Sequence, residues 1–369
     1  MNIGIVLPRA FSSGGSGLQR YATDLTKNLL EYDKKNFYYI FVENHVDLAQ
    51  LYSYFGRDSR YKIIKVDGGV FWLQFGLFFR LKSLPRMSAM IFYNTLPLFF
   101  KGKNAVLIVC DFYFKYFKSL KLKLLDFLIK DSLEKARKVV SISESTKNDA
   151  LRFYNVNKEK ILVIYPGFVN LCKERKSRAL KINKPFILFV GSMKERKNVL
   201  NMIKAYAIFK KQKNASHKFI VAGKYDKESD YFKEIDSFIK SQNLSNDIFL
   251  LNQVTDEELA YLYKNADSLF FATKFEGFGF PVLEAMSCGV PVIATNAYSL
   301  KEISKGCAIL VNPDSIAEMA EALSEVSFNK SLRPELIKKG YANALKYSWK
   351  KAVKKFIELI EQLNNNPGY

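Results

Sequence analysis

Short runs of consecutive apolar residues alternate along this chain with longer stretches whose apolar positions return every three or four residues. The short runs read as buried strands and the longer ones as helices. Strands are predicted at residues 3–7, 38–42, 62–66, 90–93, 105–109, 138–142 and 161–165, then at 186–190, 218–222, 248–250, 268–271 and 290–294. Helices are predicted at 17–32, 120–136, 198–211, 230–242, 256–265 and 281–288. This rhythm predicts an α/β protein of two consecutive parallel-sheet units. The polar run CKERKSRALKINK (172–184) reads as the linker, which sets domains at 1–171 and 172–345. In such sheets ligands bind where the carboxyl ends of strands meet helix N-termini, and a cleft between the domains is the expected active site.

A length of 369 residues suits two cores better than one. With 49% hydrophobic and 25% charged residues, disorder is excluded. The formal charge of +21 is the unusual quantity; 26 basic residues face 14 acidic ones up to position 170, and 31 face 22 beyond it. Such an excess favours phosphates, acidic membrane surfaces or nucleic acid, although a lysine-rich composition alone accounts for it equally well. Nucleic acid is the poorer reading, because the charge is spread over both halves and no recognised binding motif accompanies it.

Cys110, Cys172, Cys288 and Cys307 are widely spaced without a C-x-x-C pair, so neither a disulfide framework nor a zinc site is expected, and a reducing cytosol fits. His45 and His217 are the only histidines and offer little for metal or triad chemistry. The N-terminus lacks a basic region and long apolar core, which argues against a signal peptide. Residues 71–79, FWLQFGLFF, are apolar, but Arg80 and Lys82 end the run far short of a membrane span.

The most informative stretch is KFEGFGFPVLEAMSCGVPVIAT, residues 274–295. Glu276 and Glu284 flank a turn containing Gly277 and Gly279 and closed by Pro281. Glycines there allow unusual dihedrals and close ligand approach, and proline suits a helix start. Gly289 reads as the residue that ends this helix. Amides near Phe278, Gly279 and Phe280 then face outward at a positive helix terminus, which makes an anion site. Carboxylates beside a phosphate cradle fit a ligand carrying both a diphosphate and hydroxyls, such as a nucleotide-sugar.

Three further constellations stand out. A strand ends at Gly191, and Arg196 and Lys197 follow at the start of a helix, where they read as a diphosphate clamp. A solvated helix start in a lysine-rich chain is the competing reading. The loop holding Gly14 and Gly15 follows the first strand and could meet phosphate or sugar through its backbone; it is not the G-x-G-x-x-G fingerprint, which weakens a nicotinamide reading. Asp111 closes a buried strand, where a catalytic carboxylate and a loop-capping aspartate are equally open readings. Residues 112–138 mix aromatics, leucines and lysines, either as a membrane-surface segment or as a helix that packs one side on the core.

Taken together, SGLQRYATDL, SISESTKND, FVGSMKERKN, VTDEELAYLYKNAD and the E-x7-E motif at Glu276 and Glu284 resemble the retaining glycosyltransferases of family 4, of the GT-B fold. The wording looks closest to bacterial mannosyl- or rhamnosyl-type enzymes that build surface polysaccharides. The resemblance implies two Rossmann-like domains facing a cleft, with residues 346–369 crossing back to the first domain. It implies a metal-independent transfer of a hexose, mannose among the candidates, from a GDP- or UDP-linked sugar to a surface-glycan or lipid-linked acceptor, with no further cofactor. Arg196 and Lys197 would hold the diphosphate, Glu284 the ribose and Glu276 the sugar hydroxyls. Gly191, Phe278, Gly279, Phe280, Gly14 and Gly15 would line the phosphates and sugar, and Asp111 would belong to the catalytic set. A cytoplasmic enzyme, peripheral at an anionic inner membrane face, is the expected setting.

One departure concerns Cys110, which stands where such enzymes usually carry histidine and cannot reproduce imidazole hydrogen bonding. It leaves open a second reading, a catalytically weak nucleotide-sugar binder within a glycan assembly. Tyr165-Pro166-Gly167-Phe168 is also atypical where an Asn-Gly turn is common.

Overall fold

The computed structural model describes residues 1–8, 17–69, 72–116, 122–176, 178–180, 182 and 184–365. Gly14 and Gly15 lie outside the described residues. The chain forms two compact units, one of residues 1–167 with 348–369, the other of residues 168–347.

The first unit holds β1 (Asn2–Val6), β2 (Phe37–Glu43), β3 (Tyr61–Val66), β4 (Ala89–Tyr93), β5 (Ala105–Val109), β6 (Lys138–Ser141) and β7 (Ile161–Val163). They form one parallel sheet in the order β3-β2-β1-β4-β5-β6-β7. Every residue of β4 and β5 is buried, which is why these strands read as unbroken apolar runs instead of alternating ones. The helices are α1 (Gly17–Tyr32), α2 (Leu48–Phe55), α3 (Leu77–Lys82), α4 (Leu122–Lys135) and α5 (Glu144–Phe153). On one sheet face Phe92, Leu107 and Val139 pack with Trp72, Leu77, Ile129 and Leu133, so α3 and α4 share a layer. The C-terminal helix (Trp349–Asn365) packs beside α1, with the rings of Trp349 and Tyr21 5.8 Å apart. Gly167 explains its own local sequence: a Cβ there would lie 2.0 Å from the Trp349 nitrogen, so only glycine lets the returning chain pass.

The second unit holds a six-stranded parallel sheet of β8 (Phe186–Val190), β9 (Lys218–Ala222), β10 (Ile248–Leu251), β11 (Ser268–Phe271), β12 (Val292–Thr295) and β13 (Ile309–Val311), ordered β10-β9-β8-β11-β12-β13. Around it lie α6 (Leu171–Glu174), α7 (Val199–Lys213), α8 (Asp230–Ser241), α9 (Asp256–Asn265), α10 (Phe280–Ser287), α11 (Tyr298–Ser304), α12 (Ile316–Phe328) and α13 (Leu332–Ala344). Phe186, Phe189, Phe219 and Phe270 are fully buried at its centre.

Two expectations are corrected. The run 172–184 is not a free linker where it is described. Residue 172 lies in α6, and Arg175 and Arg178 pair with Asp256 and Glu258 at the start of α9. Polarity there marks a solvated surface path, and the passage between units falls earlier, at Gly167 and Phe168. Nor are the cysteines all free, for Cys172 and Cys288 form a disulfide between α6 and the end of α10. They are 116 positions apart in sequence, so spacing alone could not reveal their proximity.

Candidate donor-binding site in the second unit

Strand order in the second sheet reverses between β8 and β11, the place where an open parallel sheet leaves a crevice at its carboxyl end. The loops leaving these two strands carry the two strongest sequence motifs. β8 ends at Gly191, whose φ of 156° lies in the region that favours glycine. A Cβ on Gly223, after β9, would stand 2.1 Å from the Gly191 carbonyl oxygen, so the two loops touch backbone to backbone.

Beyond Gly191, a single tight turn (Glu195–Lys197) presents Arg196 and Lys197. Asn198 then takes a left-handed conformation and caps the start of α7. Its buried amide donates to the carbonyls of Ala272 at 2.9 Å and Pro313 at 2.7 Å. Those two hydrogen bonds to neighbouring loops fix where the two cations stand.

The β11 loop meets them there. Lys197 Nζ forms a largely buried ion pair with Glu276 and lies 5.4 Å from the centre of the Phe271 ring. Arg196 donates to the Phe275 carbonyl at 3.5 Å, and the Lys274 amide donates back to the Arg196 carbonyl at 2.9 Å. Ser299, from α11, donates to the Glu276 carbonyl at 2.7 Å. Sequence distance hid all these partners, since nearly 80 residues separate the Lys197 and Glu276 motifs.

Gly279 caps α10 with φ 115°, and a Cβ there would lie 2.5 Å from a Leu300 methyl. The helix begins at Phe280 with Pro281 in its first turn, and Gly289, with φ 75°, follows its end. First-turn amides of a helix lack intrahelical acceptors, which makes the Phe278–Phe280 corner suited to an anion. Glu284 is only 1% exposed, and the Tyr263 hydroxyl donates to its Oε2 at 2.8 Å. Tyr263, on α9, was not foreseen; only its place inside VTDEELAYLYKNAD hinted at it.

Asp111 sits in the first unit, at the carboxyl end of β5, and is described there. Its Oδ1 accepts from the Tyr113 amide at 3.3 Å, so the loop-capping role has a hydrogen bond to support it. The neighbouring Cys110 is buried, its amide donating to Asn94 at 3.3 Å and its carbonyl accepting from Thr146 at 3.2 Å. Burial, reinforced by the Asp111 charge, pushes its thiol well above the ordinary range, so it stays a neutral thiol.

Two Rossmann-like parallel-sheet domains with this crevice define a GT-B architecture. A crystal structure of the Anabaena protein HepE with UDP and glucose shares the fold, with a TM-score of 0.75 at 17% identity over 98% of this chain and all of that one. Residues 172–343 match the family described as Glycosyl transferases group 1, and the chain therefore carries a domain of that family. Among curated relatives, the O-antigen chain mannosyltransferase B of Escherichia coli is 25% identical over 63% of this chain and 62% of its own length. The O-antigen chain mannosyltransferase RfbU of Salmonella typhimurium is 29% identical over 54% of each. The matched stretch thus spans about three fifths or less of these relatives.

Proposed function

We propose that this protein is a retaining glycosyltransferase that moves a hexose, with mannose the leading candidate, from a GDP- or UDP-linked sugar to a surface-glycan or lipid-linked acceptor. The observation that carries the reading is the meeting of Arg196, Lys197 and Glu276 at the strand-order reversal of a glycosyltransferase group 1 domain. The mannosyltransferase relatives favour mannose and a polysaccharide acceptor, and the UDP and glucose bound to HepE favour a nucleotide-sugar donor.

In this reading Arg196 and Lys197 take the donor diphosphate. Charge builds on the leaving nucleotide as the glycosidic bond breaks, and cations already fixed there stabilise that state more than the ground state. The protein's own cations would then do the work that a divalent ion does elsewhere. Glu276 takes sugar hydroxyls, Glu284 the ribose, and the Phe278–Phe280 corner with Gly191 supplies backbone surface to the phosphates. Asp111 and the loop of Gly14 and Gly15 belong to the same proposal from the first unit. The proposed setting is the cytoplasmic face of an anionic membrane; no described helix is long and apolar enough to cross one.

The test is a thermal-shift screen of GDP- and UDP-sugars, followed by nucleotide release with a glycan acceptor. One donor should raise Tm, because a ligand bound only to the folded state stabilises it by mass action. Arg196→Ala and Glu284→Gln should reduce transfer by about a hundredfold or more, on the scale of removing one transition-state donor. Full activity in Arg196→Ala would sink the assignment, and donor binding without nucleotide release would favour the pure binding role.

A further inference from the structure

Single exposed apolar side chains are ordinary on protein surfaces, whereas clusters mark interaction sites. The first unit carries such a cluster. Phe79 is 65% exposed and Phe99 63%, with Phe75 and Phe78 also exposed beside them. Phe75 and Phe99 have ring centres 5.9 Å apart, and Phe78 and Phe79 5.7 Å. The segment that bears them is fastened by the Leu98 amide, which donates to Gln74 at 2.7 Å, while Lys135 of α4 donates to the Leu98 carbonyl at 2.6 Å. Gly102 packs against the end of α4 so closely that a Cβ would lie 2.1 Å from the Lys135 carbonyl oxygen. The outer side of α4 adds exposed Leu124 and Phe127.

Basic residues interleave with these rings. Between positions 67 and 103 the chain has five cations, Arg80, Lys82, Arg86, Lys101 and Lys103, and the single acid Asp67. Lys82 Nζ stands 4.7 Å from the Phe78 ring centre and 5.6 Å from that of Phe79. Next to the cluster, Lys101 and Lys103 share the rim of a cavity of about 430 Å3 with Arg137, Lys138 and Lys160, against one carboxylate, Glu159. That cavity opens at the amino ends of β5, β6 and β7, the opposite end of the sheet from Asp111.

We infer that this face docks onto an anionic lipid bilayer, with Phe75, Phe78, Phe79 and Phe99 entering the interface and the cations engaging lipid phosphates. Phenylalanine rings lower into the headgroup boundary while neighbouring lysines keep their charges at headgroup level. Charge complementarity selects a bilayer over an apolar protein partner, since an uncharged groove-filler would leave these cations facing nothing. The inference rests on the proposed lipid-linked setting and locates the surface that serves it.

Vesicle flotation of the full chain tests it. Binding should appear with phosphatidylcholine vesicles containing phosphatidylglycerol, fade with phosphatidylcholine alone, and weaken as salt rises. Phe79→Ser should lower the partition constant by about tenfold or more, the effect of one lost buried aromatic side chain. Lys101→Ala with Lys103→Ala should lower it by about thirtyfold, at about fivefold per cation. Phe249→Ser, an exposed ring in the other unit, should change nothing. Equal binding to neutral and anionic vesicles, insensitivity to these substitutions, or a dimer in size-exclusion chromatography that Phe79→Ser dissolves would each overturn the inference. Glu284→Gln should lose transfer yet still float, so failure of docking and failure of the transferase reading remain distinguishable.

Discussion

Lys197 and Glu276 neutralise one another, so a donor bound as proposed would have to separate them. A free phosphate would claim Lys197 and strand Glu276 beside another negative group. A ligand carrying hydroxyls as well as phosphate gives each partner a replacement. Under the proposed function the pair would therefore favour nucleotide-sugars over bare nucleotides. Residue types at this site were legible because the E-x7-E spacing and the adjacent cations are chemically unusual together. Tyr263, Asn198 and Ser299 were not, because common polar residues reveal their role only through a tertiary partner. Away from the site, Asp33 shows how a buried carboxylate is kept charged. Burial alone would raise its pKa, but hydrogen bonds from Tyr38 at 2.5 Å, the Lys35 amide at 2.9 Å and Asn36 at 2.7 Å outweigh burial and hold it below the usual value. A lowered folded-state pKa gives stability that is complete above the unfolded value near ~3.9 and lost as pH falls through the folded one. Asp33→Asn should therefore cost about 1–2 kcal/mol at neutral pH, with the deficit shrinking below about pH 4 in urea titrations.

Among the elements, the strands were the most legible, and β5, β8, β9 and β11 fall where the apolar runs place them. Burial on both faces leaves a continuous apolar signal that few other structures produce. Shorter elements such as α2, α11 and β13 were missed, having too few residues to show a period. The contact between the Gly191 and Gly223 loops was equally invisible, since it depends on two strands becoming neighbours. Gly223→Ala tests its worth. A methyl group would collide with the Gly191 carbonyl oxygen, and φ of 150° disfavours any side chain there. A loss of about 2–4 kcal/mol is expected in chemical denaturation, as for strain at a special backbone position. The turn that bears Arg196 should shift with it, so donor affinity should fall together with stability.

At the scale of the whole molecule, the α/β class and the presence of two sheets followed from the alternation of strand and helix, whereas the unit boundaries did not. Polarity marks exposed chain, and the segment after 171 is exposed while still packed on its own unit. The C-terminal helix is the clearest dependency in the first unit. It buries Trp349, Val353, Phe356 and Ile360 there. Ending the chain at Tyr347 should strip this cover from α1. The expected result is a first unit that melts earlier or aggregates, with the second unit's transition retained in calorimetry; an unchanged first transition would show that the helix adds no stability.

That dependency also sets an order of events during synthesis. The chain leaves the first unit at Gly167 and rejoins it at Ser348, so the second unit is an insertion within the first. As domains fold when their residues emerge from the ribosome, the inserted unit has all its strands available while the first still lacks a helix. The first unit is thus completed only after the second, and until then the side of α1 that meets Trp349 stays uncovered.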